Sequence, residues 1–474
     1  MEPRVTIIGA GLAGSECALQ LAARHIYVDL YDMKPSKMSP AHHSPNFAEL
    51  VCSNSLKSLK LESAAGLLKH ELSMLGSYLV KFAFQAQVPA GGALAVDRDV
   101  FSRLVTCALE QNPFITIHHQ EVVDIPQGNV VIAAGPLCSD GLFNQLISYL
   151  GSSSLSFFDA AAPIVDVESI KFNLVFKQSR YANSCACDTQ SAAQGDYLNC
   201  PFTKDAYLAF YHELINAKRA ISKDFEQKDL FSACQPVEEV ARTGVDSLRF
   251  GALKPVGISY PKNHPHLHIN TSGAAFTRPY AVCQLRSENS QRTAYNLVGF
   301  QTNLLWGEQK RVFRMIPGLE EAEFFRYGVM HRNSFVDAPK CLDTTFKIPH
   351  TKIRLAGQIT GTEGYTEAIA SGLLAALNTY CELMDHPSIQ LPVTGAFGSL
   401  VAYATNPQTS TYQPMHVNFG LMPVLEHTIK SKADRYKAYA LRAETDLSVY
   451  LQNHPELLVE SVVQDVATLN NVCG

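Results

Sequence analysis

The sequence predicts an α/β protein. Its main part reads as a discontinuous Rossmann-like domain, interrupted by an inserted α+β domain and followed by a short C-terminal helical segment. Three observations carry this expectation. The β-branched run Val5-Thr6-Ile7-Ile8 leads straight into Gly9-Ala10-Gly11-Leu12-Ala13-Gly14 and an apolar-periodic helix reaching about Arg24. A second apolar strand, Ile26 to Tyr31, ends at Asp32. Far along the chain, Val130 to Pro136 and Lys352 to Gln358 are again short strands that run into small residues and glycine.

Strand, glycine turn, helix, strand and acid occur in the order a βαβ dinucleotide site requires. The glycines allow a pyrophosphate to approach the backbone at a helix N-terminus, where unsatisfied N–H groups and the helix dipole favour anions. Asp32 is placed to accept hydrogen bonds from an adenosine ribose. The segment Ile359 to Ala368, followed by the helix-like Ile369 to Leu377, resembles the second flavin motif of two-dinucleotide-type flavoproteins, with Gln358 where their acid usually stands. Three such elements spread along the chain favour resident FAD over a transient NAD, and no second GxGxxG marks a nicotinamide domain. The expected cofactor-binding residues are Gly9, Ala10, Gly11, Leu12, Ala13, Gly14, Asp32, Gly357, Gln358 and Gly364.

Between Ser154 and about Tyr280 the pattern changes to short strands around Val165–Val175 and Ser179–Tyr181, a helix over Asp205–Arg219 and a loop or hairpin over His264–Arg278. The expected division is therefore 1–153 and 281–400 for the two parts of the FAD domain, 154–280 for the inserted substrate domain, and 401–474 for two short helical stretches. The 474 residues are 46% hydrophobic and 18% charged, with a net charge of −5. That is an ordinary globular composition without a membrane-length apolar run. A first strand that begins at once leaves no room for a signal peptide. Twelve scattered cysteines form no disulfide framework, so a reducing cytoplasm is the expected location. An acidic total means that any nucleic-acid contact must come from local basic patches.

The stretch PAHHSPNFAELVCSNSLKS, from Pro40 to Ser58, sets Cys52 among small polar residues. Together with VPAGGALAVDR, EEVARTGVDSLRFGALKPVGI, YNLVGFQTNLLWGEQKRVFRMIPGLE and AGQITGTEGYTEAIASGL, it resembles the bacterial folate- and FAD-dependent tRNA (uracil-5-)-methyltransferases over nearly the whole chain. The resemblance implies that tRNA is the partner and that the T-loop uridine is converted to ribothymidine. It further implies 5,10-methylenetetrahydrofolate as carbon donor and FAD reduced by NADH or NADPH. Uracil C5 is a poor nucleophile until a thiolate adds at C6, and cysteine is the side chain that forms a usable thiolate near neutral pH. Cys52 in CSNSL and Cys234 in SACQPVEEVA match the family's two cysteine motifs, with Ala233 in place of a glycine, and are the expected catalytic residues. Which of them attacks uracil is left open. The other readings are a wobble-uridine tRNA modifier, whose longer C-terminal region this chain lacks, and an FAD oxidoreductase of small molecules.

Two clusters could meet RNA: Lys310, Arg311, Arg314, Arg326, His331 and Arg332 with interleaved aromatics, and Lys430, Lys432, Arg435, Lys437 and Arg442 with Tyr436 and Tyr439. A solvated charged face is an equal alternative for each. Cys185-Ala186-Cys187 lacks a second pair at metal-ligand spacing, so no metal is expected. His42-His43 either shapes the flavin or folate pocket or is a surface pair, and the Gly91-Gly92 segment is either a tight turn near the flavin or the lead-in to an Asp97–Arg98 surface pair.

Overall fold

The computed structural model describes residues 3–39, 41–150, 155–160, 162–180, 195–220, 235–261, 278–328, 330–409 and 412–458. Five parallel strands form the main sheet, in the order Ile353–Leu355, Val130–Ile132, Arg4–Ile8, Tyr27–Asp32 and Ile115–His119. Arg4–Ile8 lies at the centre of the sheet, with Val5 and Ile7 fully buried on one face and Ile8 buried on the other. Its neighbours are the next strand in sequence on one side and a strand more than a hundred residues away on the other, so the order reverses there. In such sheets the crevice beyond the strand ends at the reversal is where ligands bind.

Helix Leu12–Ala22 follows the first strand and packs against helix Tyr365–Leu383. Their approach is close because Gly372 has no side chain: a Cβ there would lie 2.1 Å from the Ala13 carbonyl oxygen. The same helix buries Glu16, which accepts hydrogen bonds from the Ser77 hydroxyl and the N–H groups of Tyr78 and Leu79. Burial nevertheless pushes its carboxyl above the usual range.

A second, antiparallel sheet runs in the order Phe176–Lys177, Tyr197–Phe202, Ala281–Ser287, Ala294–Leu297, Ile164–Asp166 and Phe324–Arg326. It has its own apolar core, drawn from residues between Val165 and Phe324. We therefore propose to end the inserted unit between Arg326 and Phe335 rather than at residue 280. Ala281–Ser287 is a central strand of its sheet, and every residue of that strand is buried, whereas Phe335 joins the first core. Sequence composition does not change at residue 280 in a way that reveals this pairing.

Helix Lys204–Asn216 forms where expected, capped by the Thr203 hydroxyl accepting from Ala206 N–H. Of the strand expected over Val165–Val175 only the first residues form, and the chain then turns through Val167–Ser169. The C-terminal part differs too: a single helix, Lys432–Asn453, replaces most of the two short stretches. Tyr439, Ala440, Ala443, Leu447 and Leu451 lie at helical spacing and bury one continuous face. Tyr181, the 264–277 loop and the Cys185–Cys187 pair lie outside the described residues.

Candidate active site

A cavity of about 430 Å³ opens beyond the strand ends. Its walls include Gly9, Gly11, Leu12, Ala13 and Asp32 from the first βαβ unit, Cys52 to Lys57 in part, and Gly357, Gln358 and Glu363 to Ala368. The two sequence-distant glycine elements therefore meet on one space, together with the Cys52 loop.

The glycines of the first turn play different parts. Gly9 has φ +100° and a Cβ there would meet the Ala133 carbonyl at 2.6 Å, while a Cβ on Gly14 would meet the Gly9 carbonyl oxygen at 1.8 Å. Both are required for packing. At Gly11 no atom lies within 4 Å of an added Cβ, and the residue lines the cavity. Asp32 accepts from the N–H groups of Ala10 and Lys34, at 2.8 and 2.9 Å, and so fixes the turn against the strand end. No side chain caps helix Leu12–Ala22, and none caps helix Tyr365–Leu383, whose N-cap Gly364 has φ +119°. Two helix N-termini thus offer backbone donors to one cavity.

That arrangement fits FAD. An open cradle at Gly11 leaves room for a pyrophosphate at the first N-terminus, and the second N-terminus suits the electron-rich pyrimidine edge of a flavin. Where the usual acid is replaced by Gln358, the Gln358 amide donates to Glu363 Oε1 at 2.6 Å, and both residues line the cavity. Glu367, almost fully buried in the first turn of the second helix, faces Lys57 at 3.6 Å and accepts from Val417 N–H. Lys57 holds this place with φ +66°, a conformation unusual for a residue with a side chain. Burial, followed by the neighbouring Lys57, pushes His416 below the ordinary imidazole range. Burial likewise lowers Lys69 to about 8, its ammonium donating to the carbonyls of Leu56 and Ala65.

Cys52 lies half-buried on the cavity wall. The Tyr365 hydroxyl oxygen accepts from the N–H groups of Cys52 and Ser53, at 2.7 and 3.0 Å. Burial and the neighbouring Cys52 push this phenol far up, so it stays protonated. Asn54, fully buried, explains the next position of CSNSL. Its amide donates to the carbonyls of Val96 and Ser287, and its oxygen accepts from Arg286 Nε at 2.7 Å. Arg286 also donates to the Ser53 hydroxyl, and the adjacent Arg98 pairs with Glu288 at 2.7 Å. The cysteine loop is thereby clamped to a central strand of the second sheet. Sequence reading singles out Cys52 but not its support, since Tyr365 and Arg286 come from more than two hundred residues away in the chain.

Cys234 lies outside the described residues. Three residues on, Val237 donates to the carbonyl of Gln301, and Gln301 lines the cavity. His42 lines it as well, with its imidazole lowered by burial and by Lys34. The Gly91-Gly92 turn does not line the cavity; Gly91 N–H instead donates to Asp196 beside the second sheet. Asp97 caps helix Arg98–Glu110 instead of pairing with Arg98.

Part of the first basic cluster is held in ion pairs, whereas no residue of the second forms one among the described residues. Lys310 and Arg314 pair with Glu323, and Arg311 pairs with Glu308 and Glu213. Arg442 donates to the carbonyls of Pro423 and Val424.

The family described as glucose inhibited division protein A matches residues 4–387. A protein of Desulforamulus reducens named methylenetetrahydrofolate--tRNA-(uracil-5-)-methyltransferase TrmFO is 48% identical over 95% of this chain and 98% of its own. One of the same name from Enterococcus faecalis is 47% identical over 94% and 97%. Among solved structures, Aquifex aeolicus GidA covers 99% of this chain and 76% of its own with a TM-score of 0.67 at 16% identity, a likeness of fold.

Proposed function

The chain belongs to the glucose inhibited division protein A family and to the methylenetetrahydrofolate--tRNA-(uracil-5-)-methyltransferases, and from that membership we propose how its residues divide one reaction. The reaction is the folate-dependent methylation of uracil C5 in tRNA, with FAD as the bound redox group and NADH or NADPH as reductant. We assign the T-loop uridine as target and ribothymidine as product. No helix of the described residues is long and apolar enough to cross a membrane, and we place the enzyme with its tRNA in the cytoplasm.

One observation carries the assignment of residues: Cys52 shares a single cavity with the open Gly11 cradle and two uncapped helix N-termini. In this reading Gly9 to Gly14 and Asp32 hold the dinucleotide, and Gly357, Gln358 and Gly364 hold the flavin end. Bound FAD, once reduced, supplies the electrons that turn a transferred methylene into a methyl group. The protein's own contribution is nucleophilic. A cysteine thiolate adds to C6 of the uracil, which leaves C5 able to attack the one-carbon unit, whose bond to its nitrogen carrier then breaks. Loss of the C5 proton and departure of the thiolate then restore the ring. The uridine must leave its stack to enter the cavity, as bases do for enzymes that work on them. Tyr365 fixes the Cys52 backbone through two N–H bonds, so the thiol is presented from a rigid loop.

Cys52→Ala and Cys234→Ala test the division of roles. Each removes a nucleophile and little volume, so flavin absorbance and melting temperature should change only modestly. Formation of 5-methyluridine should fall by orders of magnitude in both. A near-normal rate in either variant would remove that cysteine from the mechanism.

A further inference from the structure

The chain has one tryptophan, Trp306, and its side chain is 63% exposed. It opens helix Trp306–Phe313 and lies parallel to the ring of Tyr327, with centroids 5.7 Å apart and an interplanar angle of 14°. Tyr327 in turn stacks on Phe324 at 5.2 Å and 21°. The three rings form a row that begins beside the second core and ends in solvent. Edge-to-face contacts are equally available to aromatic pairs, and a parallel row with an exposed outer face has the geometry of an unfinished stack.

The row is held rigidly. Gln309, fully buried, donates to the carbonyls of Leu304 and Gly328 and accepts from Gly328 N–H, all at 2.7 to 2.8 Å. That one amide staples the start of the Trp306 helix to the chain just past Tyr327, and so fixes the two rings face to face. Next to Trp306, an added Cβ on Gly307 would meet nothing within 4 Å, so the approach is open.

One stretch of backbone and one side-chain hydrogen bond connect the row with the cavity. Gln301, on the cavity wall, lies five residues before Trp306, at most about 17 Å of chain. On the other side, Arg326 beside Phe325 donates to the carbonyl of Ala41, whose neighbour His42 lines the cavity. Most of the charge beside the row is paired within the protein. The nearby carboxylates Glu308 and Glu323 are held in ion pairs with Arg311, Arg314 and Lys310. Lys218, whose carbonyl accepts from Leu305 N–H, is exposed and forms no ion pair among the described residues.

We propose that Phe324, Tyr327 and Trp306 form a stacking platform for an unpaired base of the tRNA loop that delivers its uridine to the cavity, with Lys218 meeting an adjacent phosphate. The proposal rests on tRNA being the substrate. Base stacking on an aromatic ring tolerates any base and adds affinity without sequence readout. It also holds the loop open beside the extruded uridine.

The experiment uses the full-length, FAD-loaded protein and an unmodified tRNA transcript. Because Trp306 is the only tryptophan, its emission reports on this surface alone. Saturating tRNA should protect it from acrylamide quenching. Trp306→Ala should weaken tRNA binding by about tenfold or more, whereas Trp306→Phe, which keeps a ring, should lose less. Lys218→Gln should lower the slope of log affinity against log salt by about one unit. Flavin absorbance and melting temperature serve as the check that each variant is folded. Unchanged quenching on a wild-type protein saturated with tRNA, or a Trp306→Ala variant that binds as wild type does, would overturn the platform and leave the methylation reading standing. A wild-type protein that neither binds tRNA nor forms 5-methyluridine would overturn both.

Discussion

Gly11 and Gly14 stand three residues apart and answer to different neighbours. An added Cβ on Gly14 would collide with the Gly9 carbonyl oxygen at 1.8 Å, whereas at Gly11 it would enter open space on the cavity wall. Gly11→Leu should therefore give a folded, colourless protein, because the side chain occupies the pyrophosphate position without disturbing the packing. Gly14→Ala should give a protein that is destabilised whether or not FAD is added. Absorbance at flavin wavelengths and a melting curve, taken on both variants, separate the two effects; a fully yellow Gly11→Leu protein would contradict the cradle. At this scale the sequence is most legible where chemistry is local. The glycine spacing and the acid at Asp32 point to the site, since strand, turn and helix follow one another in the chain. It is least legible where partners come from afar. Lys310, Arg311 and Arg314 read as a free basic cluster, but Glu213 and Glu323 neutralise them only once the chain is folded.

Helix termini carry the next level of the account. The two that face the cavity have no side-chain caps, whereas helix Ala396–Ala404 is tied down by Glu71, which accepts from the N–H groups of Ala396 and Phe397 at 2.7 and 2.9 Å. Burial raises the Glu71 carboxyl from 4.5 to about 7. The folded protein thus keeps this proton between pH 4.5 and about 7, where the unfolded chain has already released it. Its contribution to stability is fully present below pH 4.5 and declines as the pH rises to about 7, by a total on the order of 3 kcal/mol. Glu71→Gln should remove that decline, while costing about 1 kcal/mol at low pH through one weakened cap bond. Melting temperatures of both proteins across this interval provide the check, and parallel curves would show that Glu71 does not titrate in it. Element boundaries were readable from periodicity at Leu12–Ala22 and Lys204–Asn216. The single helix Lys432–Asn453 reads as two short stretches because charged residues stand between its buried positions in the sequence.

In the molecule as a whole, two sheets with separate cores meet at the cysteine loop. The Asn54 amide donates to the carbonyls of Val96 and Ser287 and its oxygen accepts from Arg286, so the loop is tied to the second sheet through Ser287 and Arg286. Asn54→Ala leaves buried backbone carbonyls and a guanidinium without that partner, a cost of about 1–3 kcal/mol. Flavin should be retained, and the methylation rate should fall because the cysteine loop is no longer held. Wild-type turnover in this variant would show that the clamp is dispensable. None of this clamp could be read from the sequence, where Asn54 and Arg286 are separated by more than two hundred residues. The change of pattern after Ser154 is visible in the sequence, whereas the pairing of Ala281–Ser287 with Tyr197–Phe202, on which we propose a boundary beyond Arg326, is not. The central claim is that this cavity moves a one-carbon unit from folate to uracil C5 with electrons from bound FAD. Its most direct test supplies the purified protein with unmodified tRNA, NADH and methylenetetrahydrofolate labelled in the methylene carbon, in parallel with labelled S-adenosylmethionine as sole donor. The account predicts label in 5-methyluridine from the folate and none from S-adenosylmethionine, with the folate signal lost in Cys52→Ala. Label arriving from S-adenosylmethionine, or folate label appearing at a base other than a loop uridine, would contradict it.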